Sequence, residues 1–508
     1  MLSLTACDDW LTDPSPGTTD LKDFFTGGGP AEQCVTACYQ PLEYELQDTY
    51  FNEWFIGDVM SDDALKGGQT VTDMAAVYDM ENWKTLPNNQ LVLQYYRAQY
   101  QGVARCNLAI REIGQMKTDE SMDLQFKNRL LGEAHFLRAY YYFRLVRVFG
   151  GVPLIDFVVN SSSQWRQPRA SADEVYGLIH SDLLFAQQNL IKKSEYDDSD
   201  LGRATKGAAE AMLLKTSLYT HDYEAAKQWG DSVIASGEYT LCPKYADNFT
   251  LDGENGPESV FEIQYTDEPT SDYGEGNGFT RGTFTVVMTR PRSKIGDEGW
   301  GFNRPTQNLY DEFEEGDIRR DVTIFNPTDD QIENPSQEIY MGCRYCSRKY
   351  AMFTSDDNST WFTLSHASRG PINNKQIRYS DVLLMYAEAC VELGKDAEAT
   401  EALNKVRDRV GMAEFPGYTY SHNGETVTPS LKEAIRHERR VELAMEGHRW
   451  FDLCRWGIAK ETMDAYKATE TAEAQEQMAE FVKGKHELLP IPSEEIDLDP
   501  LLAQNPGY

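Results

Sequence analysis

The stretch Leu130 to Pro153, LLGEAHFLRAYYYFRLVRVFGGVP, decides the fold class. Within it Leu130, Ala134, Leu137, Tyr141, Leu145 and Val148 recur at i, i+4, i+7, i+11, i+15 and i+18, the apolar stripe of an α-helix and not the alternation of a strand. Gly150-Gly151-Val152-Pro153 stops that helix, because glycine supplies the cap and proline cannot continue the hydrogen-bond ladder. A second stripe, Tyr379, Val382, Leu383, Tyr386, Ala389, Cys390 and Leu393, closes on Gly394. Both predict long amphipathic helices.

Each stripe has a neighbour. Residues 204–236 read as a helix, the turn His221-Asp222, and a second helix opening on Tyr223-Glu224-Ala225-Ala226. Residues 378–409 repeat the arrangement through Gly394-Lys395-Asp396. Small alanines where helices meet and a tight polar turn between them mark tetratricopeptide-type units, here without the full consensus. Similar pairs at 90–149 and 430–467 bring the number to four. The expected fold is therefore all-α, a tetratricopeptide-type repeat scaffold with its helices at about 90–236 and 375–467.

Residues 237–375 break the pattern. They are rich in Gly, Asn, Asp and Pro, and short alternating runs such as Ser259–Tyr265 and Thr283–Val287 predict strands. A long irregular insertion in a helical scaffold is generally functional, so part of the ligand surface is expected there. Residues 1–30, interrupted by Pro14, Pro16 and Gly27-Gly28-Gly29-Pro30, read as a tether, and 31–508 as a single domain. The tail 486–508, HELLPIPSEEIDLDPLLAQNPGY, has too many aliphatic residues for a disordered end. Leu488, Leu489, Ile491, Ile496, Leu498, Leu501 and Leu502 are expected to dock it on the body.

A formal charge of −34 argues against nucleic acid, whose phosphates need Lys and Arg to displace counterions, and against polyanionic substrates. No run of eighteen apolar residues offers a membrane-spanning helix. The 28 Tyr and 9 Trp exceed what a core requires and suit amphipathic surfaces such as sugar rings. Leu4-Thr5-Ala6-Cys7 has the Leu-x-Ala-Cys spelling of a lipoprotein processing site, so Cys7 is the expected lipid attachment point. Six residues precede it, too few for a signal peptide, so either the true start lies upstream of Met1 or the chain has been trimmed. Cys343 and Cys346 form a lone C-x-x-C with no second pair to complete a zinc site, and read as chance or a local disulfide. Cys34, Cys38, Cys106, Cys242, Cys390 and Cys454 read as small core residues.

Five ordered blocks resemble the SusD/RagB family: Glu133–Phe143 (EAHFLRAYYYF) with Phe149–Leu154 (FGGVPL), Gly299–Thr306 (GWGFNRPT) with Asp317–Arg320 (DIRR), Ile377–Ala389 (IRYSDVLLMYAEA), Glu438–Leu453 (ERRVELAMEGHRWFDL) and the tail. The resemblance implies four tetratricopeptide units as scaffold and variable loops at one end as ligand surface. It further implies a lipid-anchored outer-membrane protein, facing the cell surface, that binds glycans and acts as a lid on a SusC-like TonB-dependent transporter. Asp8 and Asp9, after Cys7, are similar to the acidic export tag of such surface lipoproteins.

No G-x-S-x-G, Walker loop or H-E-x-x-H is present; His437-Glu438-Arg439-Arg440 is followed by valine. Glu438 and Glu442 lie four apart and could pose as a catalytic pair, but with Arg439 and Arg449 beside them an ion-pair network is the stronger reading. No catalytic residue, metal or cofactor is therefore expected. Binding chemistry is better supplied. Trp83 precedes Leu86-Pro87-Asn88-Asn89 in a loop where the family resemblance places ligand contacts, so an indole platform with Asn88 or Asn89 as hydroxyl partner is expected. Tyr273 and Phe279 in a glycine-rich loop, and Trp361 near Asn358, are further candidates. Trp300 is another, although its place inside a family motif favours packing. Asp62 and Asp63 could hold sugar hydroxyls or calcium, a solvated turn being the simpler account. The expected function is non-catalytic glycan capture, with an α-helical glycoside hydrolase or a peptide-binding scaffold as alternatives.

Overall fold

A computed structural model describes residues 24–43, 53–267, 282–292, 299–354, 360–366 and 368–508. The expected lipid site Cys7, most of the tether, and Tyr273, Phe279 and Asn358 lie outside the described residues. The main helices are α1 (Gly28–Tyr39), α2 (Ala75–Glu81), α3 (Gln90–Gln115), α4 (Leu124–Phe149), α5 (Ala172–Asn189), α6 (Lys206–Tyr219), α7 (Tyr223–Ala235), α8 (Tyr379–Glu392), α9 (Asp396–Arg409), α10 (Leu431–Glu442), α11 (Arg449–Arg455) and α12 (Ala459–Thr469). Helix α1 already begins at Gly28, inside the stretch expected as tether.

The scaffold is helical, as the periodicity predicts, and its stripes face inward. Leu130, Ala134, Leu137, Tyr141, Leu145 and Val148 are all buried. Side-chain oxygens cap the starts: Asn89 accepts from the Leu91 and Val92 amides, Asp123 from Phe126, and Ser171 and Ser430 sit in reciprocal boxes with Glu174 and Glu433. In the His221-Asp222 turn, His221 is left-handed (φ 57°) and Asp222 caps α7. Helix α5, which the repeat pattern did not single out, packs between α4 and α6.

Helices α7 and α8 pack against each other although the insertion separates them in sequence. Gly230 permits the approach, since a Cβ there would lie 2.6 Å from the Tyr386 ring. The insertion is also zipped at its base, where β2 (Ser259–Ile263) pairs antiparallel with β6 (Asn374–Arg378), Ser259 opposite Arg378 and Ile263 opposite Asn374. Further out, β1 (Ala64–Gly67) pairs with β3 (Phe302–Pro305), and β4 (Ile324–Phe325) with β5 (Cys346–Ser347). A hairpin of β7 (Tyr420–His422) and β8 (Glu425–Val427) separates α9 from α10. The expected strand Thr283–Val287 is instead the approach to a short helix, Thr285–Thr289. The Thr283 hydroxyl accepts from the Thr285 amide, and the Thr289 hydroxyl donates to the Thr285 carbonyl, so local side-chain bonds favour the helical turn.

The charged block on α10 is an ion-pair hub. Glu442 meets Arg409 at 2.6 Å, Arg378 at 2.9 Å and Arg319 at 3.1 Å, while Glu438 meets Arg319 and Arg407. Burial alone would raise the Glu442 carboxyl, but the three guanidiniums outweigh it and hold it well below the usual carboxylate range. Arg439 turns to Asp381 and Asp452 instead of Glu442. Asp62 and Asp63 are fully buried, with Arg440 and Arg449 as partners, so they form neither a solvated turn nor a calcium site. Cys343 and Cys346 are free thiols and form no local disulfide.

The tail docks through its centre. Leu489 and Ile491 are buried, the Leu489 amide donates to Val148, and the Asn505 side-chain amide donates to the carbonyls of Phe149 (3.1 Å) and Leu489 (2.7 Å). Leu498 and Leu501, expected to be buried with them, are 64% and 54% exposed. Backbone bonds and Asn505 add a polar clamp to the buried Leu489, Ile491 and Leu502.

Candidate functional site

Strand β1 ends in a loop that only glycine can enter. Gly67 and Gly68 are left-handed (φ 77° and 74°), and a Cβ on Gly67 would fall 2.1 Å from the Gly301 carbonyl oxygen. The chain then turns through Gln69, Thr70, Val71 and Thr72, all exposed. Lys66 extends beneath it, its Nζ donating to the carbonyls of Gly67 (2.6 Å), Thr70 (3.1 Å) and Asp73 (2.7 Å). The ammonium lies 4.9 Å from the Tyr340 ring centre and 5.4 Å from that of Phe302. Asp73 accepts from the Gln69 amide at 2.9 Å and pairs with Arg292 at 3.0 Å.

Arg292 leads to the first tryptophan. Its Nε donates to the Trp300 carbonyl at 2.7 Å, the Trp300 amide donates to Val287, and the Gly68 amide donates to Gly301. The Gly301 amide in turn donates to the Arg290 carbonyl, and the Arg290 side chain reaches the Ala351 and Phe362 carbonyls. Its guanidinium sits 5.3 Å from the Trp361 ring centre, and Trp361 packs on Phe353 at 4.4 Å. Trp300 and Trp361, both half-buried, thus stand on one continuous network of the insertion, with Arg290 between them. Half-buried indoles fixed by neighbours offer a flat face at little entropic cost, and the adjoining hydroxyls and amides can serve sugar hydroxyls.

Trp83 does not belong to this surface. It is only 5% exposed, and its ring packs edge-to-face on Phe481 at 5.4 Å, so no indole face is available to a ligand. Asn89 is spent as the α3 cap, and its Nδ2 donates to Ala76. Asn88 is exposed, in a turn that meets the tail where the Ser493 amide donates to Pro87. These placements correct the expected Trp83–Asn89 platform. Lys66, Asp73, Arg290 and Arg292 were missed; the available signal was the pair Gly67-Gly68 followed by the polar run Gln69–Asp73, a turn spelling between apolar segments.

Other sites fit less well. Glu438 and Glu442 are inaccessible and covered by guanidiniums, so they cannot reach a glycosidic bond. Among the described residues no group of His, Cys, Asp and Glu could hold a metal ion. A cleft of about 200 Å³ beside Tyr39, Leu201 and Gln264 falls below the ~300–1,000 Å³ usual for small-molecule pockets, and its Arg203 is already paired with Glu32, Glu133 and Asp200.

Together these features define a class: a tetratricopeptide-type helical scaffold with an aromatic loop surface on a long insertion. The family model described as "SusD family" matches residues 257–508, and one described as "Starch-binding associating with outer membrane" matches 31–218. The chain belongs to the SusD family. It is 26% identical to SusD-like protein P2 of Formosa agariphila, over 100% of this chain and 98% of the relative. Among solved structures it is similar to a laminarin binding SusD-like protein (28% identity, TM-score 0.78, 94% of this chain and 99% of the other). It is also similar to surface glycan-binding protein A from Bacteroides thetaiotaomicron in complex with laminarihexaose (26% identity, TM-score 0.77, 94% and 98%).

Proposed function

We propose that this protein captures an oligosaccharide or polysaccharide at the cell surface and delivers it, uncleaved, to a SusC-like TonB-dependent outer-membrane transporter. The observation that carries this reading is the pairing of Trp300 and Trp361 through Arg290 on the insertion of a SusD-family scaffold. The names of the similar structures, one laminarin-binding and one holding laminarihexaose, make a β-glucan oligosaccharide the first ligand to try. The membrane link is the lipid on Cys7. One acyl chain binds a bilayer at only ~10⁴ M⁻¹, so stable anchoring needs more than one. A tethered lid raises the local concentration of glycan at the channel mouth, which lets modest affinity suffice.

Calorimetry against a panel of oligosaccharides, beginning with laminarihexaose, tests the reading. A folded Trp361→Ala variant is expected to bind several-fold more weakly, an aromatic contact being worth about 0.5–1.5 kcal/mol beyond its buried area. Incubation for hours should leave the oligosaccharide at its original length, and pull-down from solubilised outer membrane should recover a large β-barrel protein. Absence of binding across the panel refutes glycan capture. Cleavage abolished by changing one carboxylate establishes a hydrolase instead.

A further inference from the structure

An ammonium has three donors, and Lys66 commits all of them to carbonyls of the loop that covers it: Gly67, Thr70 and Asp73. Three converging carbonyl oxygens repel one another unless a cation or donor sits among them. Here the ammonium occupies the place a bound metal would take in an oxygen-lined loop, with Tyr340 and Phe302 flanking it. The Lys66 amide is itself held, donating to Glu81 at the end of α2 at 2.9 Å, so the base of the side chain is fixed as firmly as its tip. The loop's outer edge is fastened separately. Asp73 joins it to Arg292, and Gly68 joins it to Gly301, on the segment that carries Trp300. Among the described residues the polar crest, Gln69, Thr70 and Thr72, is exposed, with the two threonine hydroxyls 2.9 Å apart.

We propose that this crest is a glycan-contacting element and that Lys66 is its positioning residue, gathering the loop so that Gln69, Thr70 and Thr72 stand beside Trp300. The proposal rests on the reading of the Trp300–Trp361 surface as the glycan site. Lys66 touches no ligand; it acts through the loop. Adjacent hydroxyls held at hydrogen-bond distance match the vicinal hydroxyls of a pyranose, and the indole receives the ring's C–H face. Without the ammonium the loop keeps its ties at Gly68 and Asp73 but loses the donor on which the Gly67, Thr70 and Asp73 carbonyls converge, so a bound sugar would have to order the crest at the expense of affinity.

The test compares wild type, Lys66→Met, Thr70→Ala/Thr72→Ala and the triple variant. Methionine keeps the apolar stem and removes the donors. Hydrogen exchange of the Gly68 and Gln69 amides needs no ligand: their protection should fall at least tenfold in Lys66→Met, while that of α4 stays at the wild-type level. Calorimetry with laminarihexaose should show Lys66→Met weakening binding about tenfold, close to 1.4 kcal/mol. The crest variant should weaken it too, and adding Lys66→Met to the crest variant should cost little more, because the two act through one contact. Unchanged protection of Gly68 and Gln69 overturns the positioning role. Additive losses in the cycle overturn action through the crest. If Lys66→Met unfolds globally, the crest variant decides alone, wild-type affinity in it refuting the contact. Wild-type protein that binds no oligosaccharide in the panel refutes the function, while the exchange result still judges the loop.

Discussion

Asp58 yields a stability change whose sign reverses the usual expectation for an ion removed from a charged core. Its carboxyl is fully buried, accepting from the Gly447 amide at 2.8 Å and from Asn303 Nδ2 at 3.1 Å, while the Asn303 amide oxygen is buried with no partner among the described residues. Burial pushes Asp58 from the ordinary 3.8 up to about 7, with neighbouring Asp63 adding to the shift and the bonds from Asn303 and Gly447 opposing it. An acid with a raised folded pKa holds its proton in the native state after the unfolded chain has lost it. The native state therefore binds more protons between about pH 4 and 7, and stability falls across that window as pH rises. At about 1.4 kcal/mol per pH unit, the roughly three-unit shift costs at most ~4 kcal/mol by about pH 8. Asp58→Asn removes the ionisation. A turned Asn303 amide can then accept from the carboxamide nitrogen introduced at position 58, its own nitrogen taking the buried place its oxygen held, so one buried polar atom is unpaired before and after the change. Urea unfolding followed by circular dichroism should place the variant level with wild type at about pH 4 and above it at about pH 8, the gap opening through roughly pH 5 to 7. A variant no more stable than wild type at the alkaline end, or a gap that does not change with pH, refutes the reasoning.

Three further outcomes follow from the packing. Trp83→Ala should cost about 3–5 kcal/mol in urea unfolding, as a large ring is lost from the core, while the variant that still folds binds laminarihexaose with wild-type affinity. Asn505→Ala strands the carbonyl of Leu489, while that of Phe149 keeps its bond from Arg169, so limited proteolysis should release the tail faster, with a loss of about 1–3 kcal/mol. Gly230→Ala drives a methyl into the Tyr386 ring and should destabilise the α7–α8 junction by about 1–3 kcal/mol, measured by thermal unfolding.

Much of the scaffold is written locally and can be read from the chain alone. The stripes at 130–148 and 379–393, the stops at Gly150 and Gly394, and the caps at Asn89, Ser171 and Ser430 depend on neighbours within a turn or two, so periodicity and capping chemistry expose them. The charge block on α10 was likewise legible as an ion-pair network, though not its membership: Arg439 reaches Asp381 and Asp452, and Glu442 draws guanidiniums from three distant segments.

The candidate site was far less legible. Trp83 and Asn89 have the composition of a sugar platform, yet Phe481 covers the indole and the helix end claims the amide. The Asn89 cap is a local bond to the Leu91 and Val92 amides, but Phe481 cannot be inferred from residues near Trp83 in sequence. Trp300 and Trp361 stand on one network because Arg290 bridges segments that meet only when the insertion folds back on itself. Leu498 and Leu501 make the same point in reverse, aliphatic by composition and exposed in place. The sequence by itself determined where helices begin, end and turn, since those free energies are set within a few residues. The tertiary structure alone decided which aromatic rings and charges are covered, because burial is a property of contacts between segments hundreds of residues apart, and burial is what separates a core tryptophan from a binding one.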